Sequence, residues 1–236
     1  MLTLAIDTTA KVASAALVDG KKILCSFLCN NGNTHTENIL PMVDDMLKKC
    51  KKSIDDIELF ALANGPGSFT GVRIGAASVK GLAFGKGVPC VEVSTLEALA
   101  RNLCPTDAVI CPVMDARRSQ VYNALFECGE DGLIRLCDDR AISLDELGAE
   151  LEKMGDKSVY LVGDGYFIAK DALQKFNVKI KETPITLIDQ NAVSVALIAE
   201  EKYTRCEFVS DVSLSPSYLR MSQAERELKE KQKSKI

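Results

Sequence analysis

Three short stretches hold residues whose types and spacing could do chemistry. Asp7-Thr8-Thr9-Ala10-Lys11 sets an acid, two hydroxyls and a lysine side by side directly after an apolar run. A turn of that make-up could hold a phosphate and orient a cation. Asn64-Gly65-Pro66-Gly67-Ser68-Phe69-Thr70-Gly71-Val72-Arg73 follows a second apolar run and opens a helix expected over residues 70–85. Gly65 and Gly67 permit positive φ and close backbone approach, and Pro66 stiffens the turn between them. Ser68 or Thr70 can cap the helix, whose free N–H groups attract anions. The phosphate-contact candidates are therefore Asp7, Thr8, Thr9, Lys11, Gly65, Gly67 and Ser68. Gly163-Asp164-Gly165 is a third strand-to-helix turn, and Asp115 stands just before Arg117 and Arg118. Each has a plainer reading, Asp7 as a turn acid bonding nearby N–H groups among them. His35 is the sole histidine, which excludes a histidine-pair metal site within one chain; it reads as a capping or packing residue.

The totals narrow the classes further. A net charge of −4 gives no strongly basic field, so the chain alone is a poor tight binder of nucleic acid. Nine cysteines lie scattered in apolar runs, with Cys25 and Cys29 the one close pair. They read as reduced, mostly buried thiols of a cytoplasmic protein. The first seven residues lack a basic segment and reach an acid at once, so they read as a strand rather than a signal peptide. No apolar run approaches membrane-spanning length.

The elements that must position these groups follow from period and punctuation. Strand-like runs at 2–6, 12–18 and 22–28 form a meander, with Asp19-Gly20 a strong hairpin signal. Thr34 and Glu37 make a capping box for a helix reaching residue 50, and Pro41 within it predicts a kink or a later start. Strands follow at 59–63 and 89–93, and Ser94 with Glu97 caps a helix to 103. Pro105-Thr106-Asp107 is the expected boundary. Beyond it, strands at 108–114, 121–127 and 133–137, a helix at 143–154, a strand at 159–162 and a helix at 166–175 repeat the first half's order. A further helix spans 191–203, residues 215–220 are extended, and the charged run from 223 onward reads as a solvated tail.

A duplicated βββαβα unit with an Asp-Thr turn after its first strand resembles the α/β fold of the actin, Hsp70 and sugar-kinase (ASKHA) superfamily. The expected division is a first lobe at 1–104, a shortened second lobe at 105–220 and a tail at 221–236. The runs L-A-I-D-T-T (4–9), H-T-E-N-I-L-P (35–41), N-G-P-G-S-F-T-G-V-R-I-G (64–75), G-V-P (87–89), D-A-R-R (115–118), V-G-D-G (162–165) and P-S-Y-L-R (216–220) are similar to the TsaB family, also called YeaZ. That resemblance implies an accessory, non-catalytic subunit in the synthesis of threonylcarbamoyladenosine in tRNA. It implies pairing with the catalytic TsaD subunit and work with the ATPase TsaE, with tRNA met only through the complex and a homodimer when the chain is alone. The catalytic paralogues carry a metal-binding histidine pair where this chain has Thr95 and Leu99. The resemblance therefore implies no metal or cofactor of its own, with nucleotide and metal on the partner. The superfamily's ATPases also place a glycine in the Asp-Thr turn, and residues 7–11 have none.

The helix expected at 70–85 is small or apolar nearly all round, which suits burial on more than one side. Arg73, Ala77, Lys80 and Phe84 share one stripe of it. The expected pairing surface is the helices at 35–50 and 70–85, with Met42, Met46, Phe69, Val72, Arg73, Ala76 and Lys80 as contacts. Two rivals stay open: a stand-alone phosphotransferase using Asp7, Thr8 and Thr9 at phosphate with Asp115 near magnesium, and a metallopeptidase. Arg117, Arg118 and Lys229, Lys231, Lys233 and Lys235 of the tail are candidates for a composite tRNA surface.

Overall fold

The structure is a computed structural model that describes residues 1–130 and 132–220; the tail reading falls outside the described residues. In the first half, β1 (Leu2–Asp7), β2 (Ala13–Asp19) and β3 (Lys22–Cys29) form an antiparallel meander. α1 (His35–Lys49) then leads to β4 (Leu59–Gly65), α2 (Phe69–Ala83) and β5 (Cys90–Ser94), and the sheet order is β3-β2-β1-β4-β5. β4 and β5 run parallel to β1, as crossover helices require. The local signals act as the sequence suggests. The Glu37 carboxylate accepts the Thr34 N–H at 2.9 Å, and Ser94 Oγ accepts the Glu97 N–H at 3.3 Å to start α3 (Thr95–Arg101). The expected kink at Pro41 is absent as a break: α1 is one helix, with Pro41 on its exposed face.

The second half repeats the plan with its meander broken. β6 (Val109–Asp115) pairs with β7 (Gln120–Asn123) and β8 (Phe126–Gly129) in a single register, Val113 opposite Asn123 and Ile110 opposite Phe126. β7 and β8 are thus one strand interrupted at Ala124 and Leu125. β9 (Gly132–Arg135) pairs with β8 and β10 (Arg140–Ser143) with β7, so the third strand is broken as well and runs past the expected end at 137. α4 (Leu144–Glu152), β11 (Ser158–Val162), α5 (Tyr166–Leu173) and β12 (Lys179–Lys181) complete the order, and α6 (Ala192–Thr204) follows.

The last helix of each half crosses to the other half's sheet. α3 lays Leu96, Leu99 and Ala100 against Ile110, Met114, Phe126 and Val162 of the second sheet. α6 packs Val195, Ala196 and Ala199 on Ala5, Ala16, Ala61, Val91 and Val93 of the first. Strand alternation sorts the first sheet's faces: Leu4, Ile6, Phe60 and Leu62 meet α1 and α2, and the alanines between them admit α6 closely. This interlocked, duplicated βββαβα plan is the α/β architecture expected of the ASKHA superfamily. No helix among the described residues is long and apolar enough to cross a membrane.

Candidate functional site

The glycine loop is built first of all to dock α2 onto the turn after β1. Ser68 caps α2, its Oγ accepting the Gly71 N–H at 3.3 Å, while its own N–H donates to Thr9 O at 2.7 Å. Thr8 Oγ1 donates to Gly71 O at 2.7 Å. A Cβ on Gly67 would lie 2.3 Å from Thr9 O, one on Gly71 2.0 Å from Thr8 O and one on Gly75 2.6 Å from Thr8 Oγ1. Three glycines four residues apart therefore form the face on which α2 meets the turn. Gly65 alone in the loop proper needs positive φ, at +125°; Gly67 is required for close approach.

This contact decides where the phosphate candidates stand. Asp7, Thr8 and Thr9 are fully buried, and both threonine hydroxyls are engaged within the fold. Asp7 Oδ1 accepts the N–H and the hydroxyl of Thr9 at 2.9 and 2.6 Å, the turn-acid geometry, and its Oδ2 has no partner among the described residues. Burial pushes the Asp7 carboxyl up to about 6 against those two hydrogen bonds, with Asp164 adding to the rise. Thr9, Lys11, Gly67 and Ser68 line a cavity of about 370 Å³ between the two halves of the chain. Asp115, Arg117 and Asp164 line it from the second lobe, and Arg220 closes one side. Asp164 accepts the Asp115 N–H at 3.2 Å and is also raised to about 6, mainly by burial. Arg117, Arg118 and Ser119 all have positive φ, near 60°, in the loop that follows. Such a left-handed run of non-glycine residues carries strain that the composition of the loop does not announce. His35 packs as expected, its Nε2 2.7 Å from Ala10 O.

The expected pairing residues divide by burial. Met46, Val72 and Ala76 are closed inside the first lobe's own core, at 0, 1 and 5% exposure, and offer a partner no side-chain surface. This corrects their assignment as contacts: they lie on the α1 and α2 faces turned to the sheet and to each other. Met42, Phe69 and Lys80 are half-buried, and Arg73 is exposed, with Ala77 and Phe84 exposed further along the same stripe. The sequence did not connect this stripe with residues 210–220, which lie over it. Tyr218 stacks on Phe69 with ring centroids 4.3 Å apart, Arg73 Nε donates to its hydroxyl at 2.9 Å, and Lys80 Nζ donates to Val212 O at 3.0 Å. Thr95 and Leu99 are buried at 0 and 1% exposure between the lobes. A leucine side chain offers a metal no donor, and a single threonine hydroxyl replaces no histidine pair.

A family model described as TsaD, tRNA N6-adenosine threonylcarbamoyltransferase, matches residues 30–228. The tRNA threonylcarbamoyladenosine biosynthesis protein TsaB of Bacillus subtilis is 31% identical over 235 residues, covering 99% of this chain and 100% of that protein. Its Escherichia coli counterpart is 31% identical over 97% of this chain and 98% of its own length. The solved structure of YeaZ from Pseudomonas aeruginosa superposes with a TM-score of 0.75 at 24% identity, covering 92% of this chain and 99% of that one, which shows a shared fold. With full-length relatives of that kind and the quoted motifs in place, the chain belongs to the TsaB (YeaZ) family of tRNA threonylcarbamoyladenosine biosynthesis proteins.

Proposed function

We propose that the chain is the non-catalytic partner subunit of a threonylcarbamoyl transferase, pairing through α2 with the catalytic TsaD subunit. In that complex, served by the ATPase TsaE, the threonylcarbamoyl group passes to the adenosine beside the anticodon of tRNAs that decode ANN codons. This chain contributes a docking face; metal and nucleotide belong to the partner, and the chain meets tRNA only within the cytoplasmic complex. The observation that carries the reading is the two-sidedness of α2. One face is sealed against residues 8 and 9 by glycines, and the opposite stripe presents Arg73, Ala77 and Phe84, the last 79% exposed. An aromatic and a cation on a small-residue helix suit a protein interface better than open water.

A stand-alone phosphotransferase would need the Thr8 and Thr9 hydroxyls and the loop N–H groups free for phosphate. Those hydroxyls and the Ser68 N–H bind within the chain instead, which weighs against that rival. The test is Ala77→Arg, which adds a bulky charge to an exposed position and leaves the core untouched. Co-purification with TsaD from the same organism, read by sizing, is expected to give a stoichiometric complex for the unaltered chain and none for the variant. In vitro tRNA modification by the reconstituted subunits is expected to fall in parallel. Undiminished pairing of Ala77→Arg removes α2 from the interface. Nucleotide binding by the isolated chain that Asp7→Ala abolishes favours the phosphotransferase.

A further inference from the structure

The outward stripe of α2 is half covered by the chain itself. After α6 the backbone returns to the first lobe, where Leu214 is buried in its core. The Ser217 N–H donates to Asn64 O at 2.7 Å, and Arg220 reaches over the cleft to Ala116 O, also at 2.7 Å. Between these anchors Tyr218 lies flat on Phe69, 16° from parallel, with the Arg73 guanidinium 4.4 Å from the Phe69 ring centre. The N-terminal part of the stripe, Phe69 and Arg73, is therefore occupied; further along, Lys80 is tied to Val212 O, while Ala77 and Phe84 are left exposed among the described residues.

We propose that residues 215–220 form an autoinhibitory strap that competes with a protein partner for Phe69 and Arg73. The inference rests on α2 being the pairing face. A partner helix laid along the stripe from Arg73 to Phe84 covers about 16 Å at 1.5 Å per residue. At its N-terminal end it meets the Tyr218 ring. The strap is suited to lift. The Tyr218 ring is 42% exposed and is held on Phe69 and Arg73 by side-chain contacts alone, so it can swing away while the Ser217 and Arg220 anchors and the buried Leu214 stay in place. What replaces it is a partner group with matching chemistry, an aromatic ring for Phe69 together with an acceptor for the Arg73 guanidinium. The apparent dissociation constant then equals the intrinsic one divided by the fraction of chains with the strap lifted, so weakening the strap tightens pairing.

The experiment compares the full chain with Tyr218→Ala and Tyr218→Phe, measuring the dissociation constant with the catalytic partner by calorimetry. Tyr218→Ala is expected to tighten pairing about fivefold or more. Tyr218→Phe keeps the stack and loses the hydroxyl acceptor, so it is expected to fall between. Unchanged or weaker pairing in both overturns the proposal; weaker pairing makes Tyr218 part of the joint surface. Ala77→Arg, measured alongside, separates the two ideas. If it abolishes pairing while the Tyr218 variants do not tighten it, the strap fails and the pairing face stands. If it pairs normally, the face fails and the strap with it.

Discussion

Asp7 and Asp164 are carboxylates that the fold removes from water on either side of the cleft, and each is raised to about 6 from 3.8 chiefly by burial. Between those two values the folded chain holds protons that the unfolded chain has released. Lowering the pH from 7 to 5 therefore stabilises the fold, and the effect is lost as pH rises through 6. A rise of that size in one carboxyl corresponds to about 3 kcal/mol, an upper figure that local relaxation reduces. Carboxylates held low by hydrogen bonds, such as Glu37 and Asp56, act in the opposite sense, their stabilisation being lost as pH falls below their ordinary values of 4.5 and 3.8. Asp7→Asn keeps the acceptor for both Thr9 donors and removes the buried charge. We expect its melting temperature at pH 7.5 to equal or exceed that of the unaltered chain, and its gain on moving to pH 5 to be much smaller. An unaltered chain whose stability rises steadily from pH 5 to 7.5 would contradict the assignment.

At the scale of elements, α2 carries opposite requirements on its two faces. Gly71→Ala sets a methyl 2.0 Å from a backbone oxygen, which cannot turn aside as a side chain could. The helix must shift off the turn, at a cost of about 2 kcal/mol or more. Gly81→Ala is the same chemical change on the exposed face with nothing within 4 Å among the described residues, and removing a helix-interior glycine there stabilises by about 0.5–1 kcal/mol. Urea unfolding midpoints should move in opposite directions for the two variants; two shifts of the same sign would break the docking argument. The contrast also marks what the sequence discloses. Caps at Ser94 and Thr34 and the Asp19-Gly20 turn are legible because their partners lie within a few residues. So is the small-residue character of α2, but not which of its faces meets the turn of residues 8 and 9, and burial therefore reverses the expectation for Val72 and Ala76. The interruptions at 124–125 and 136–139 depend on how the second meander bends, a property of the pairing rather than of any local motif. Arg73 and Tyr218, 145 residues apart, meet through tertiary folding alone.

At the scale of the molecule, the exchange of α3 and α6 makes each lobe depend on the other half of the chain. Chain order groups α6 with the second lobe, but its buried side chains cover the first sheet, and Ala192 N–H donates to Ser14 Oγ at 2.9 Å to fix its start. Without α6 one face of that sheet, Ala5, Ala16, Val18, Ala61, Val91 and Val93, opens to water. The bond between Cys90 and Val209 and the burial of Leu214 are lost with whatever follows. A sheet bare on one apolar face lacks the burial that offsets chain entropy, because parallel strands need cover on both sides. We therefore expect a chain ending at residue 191 to show no cooperative thermal transition, although every strand of both sheets is present. A peptide of residues 192–214 added in trans should restore the transition, with a midpoint that rises with peptide concentration. Cooperative melting of the shortened chain at an unchanged midpoint would instead make the lobes separable, and the first lobe a complete docking module without its α6 cover.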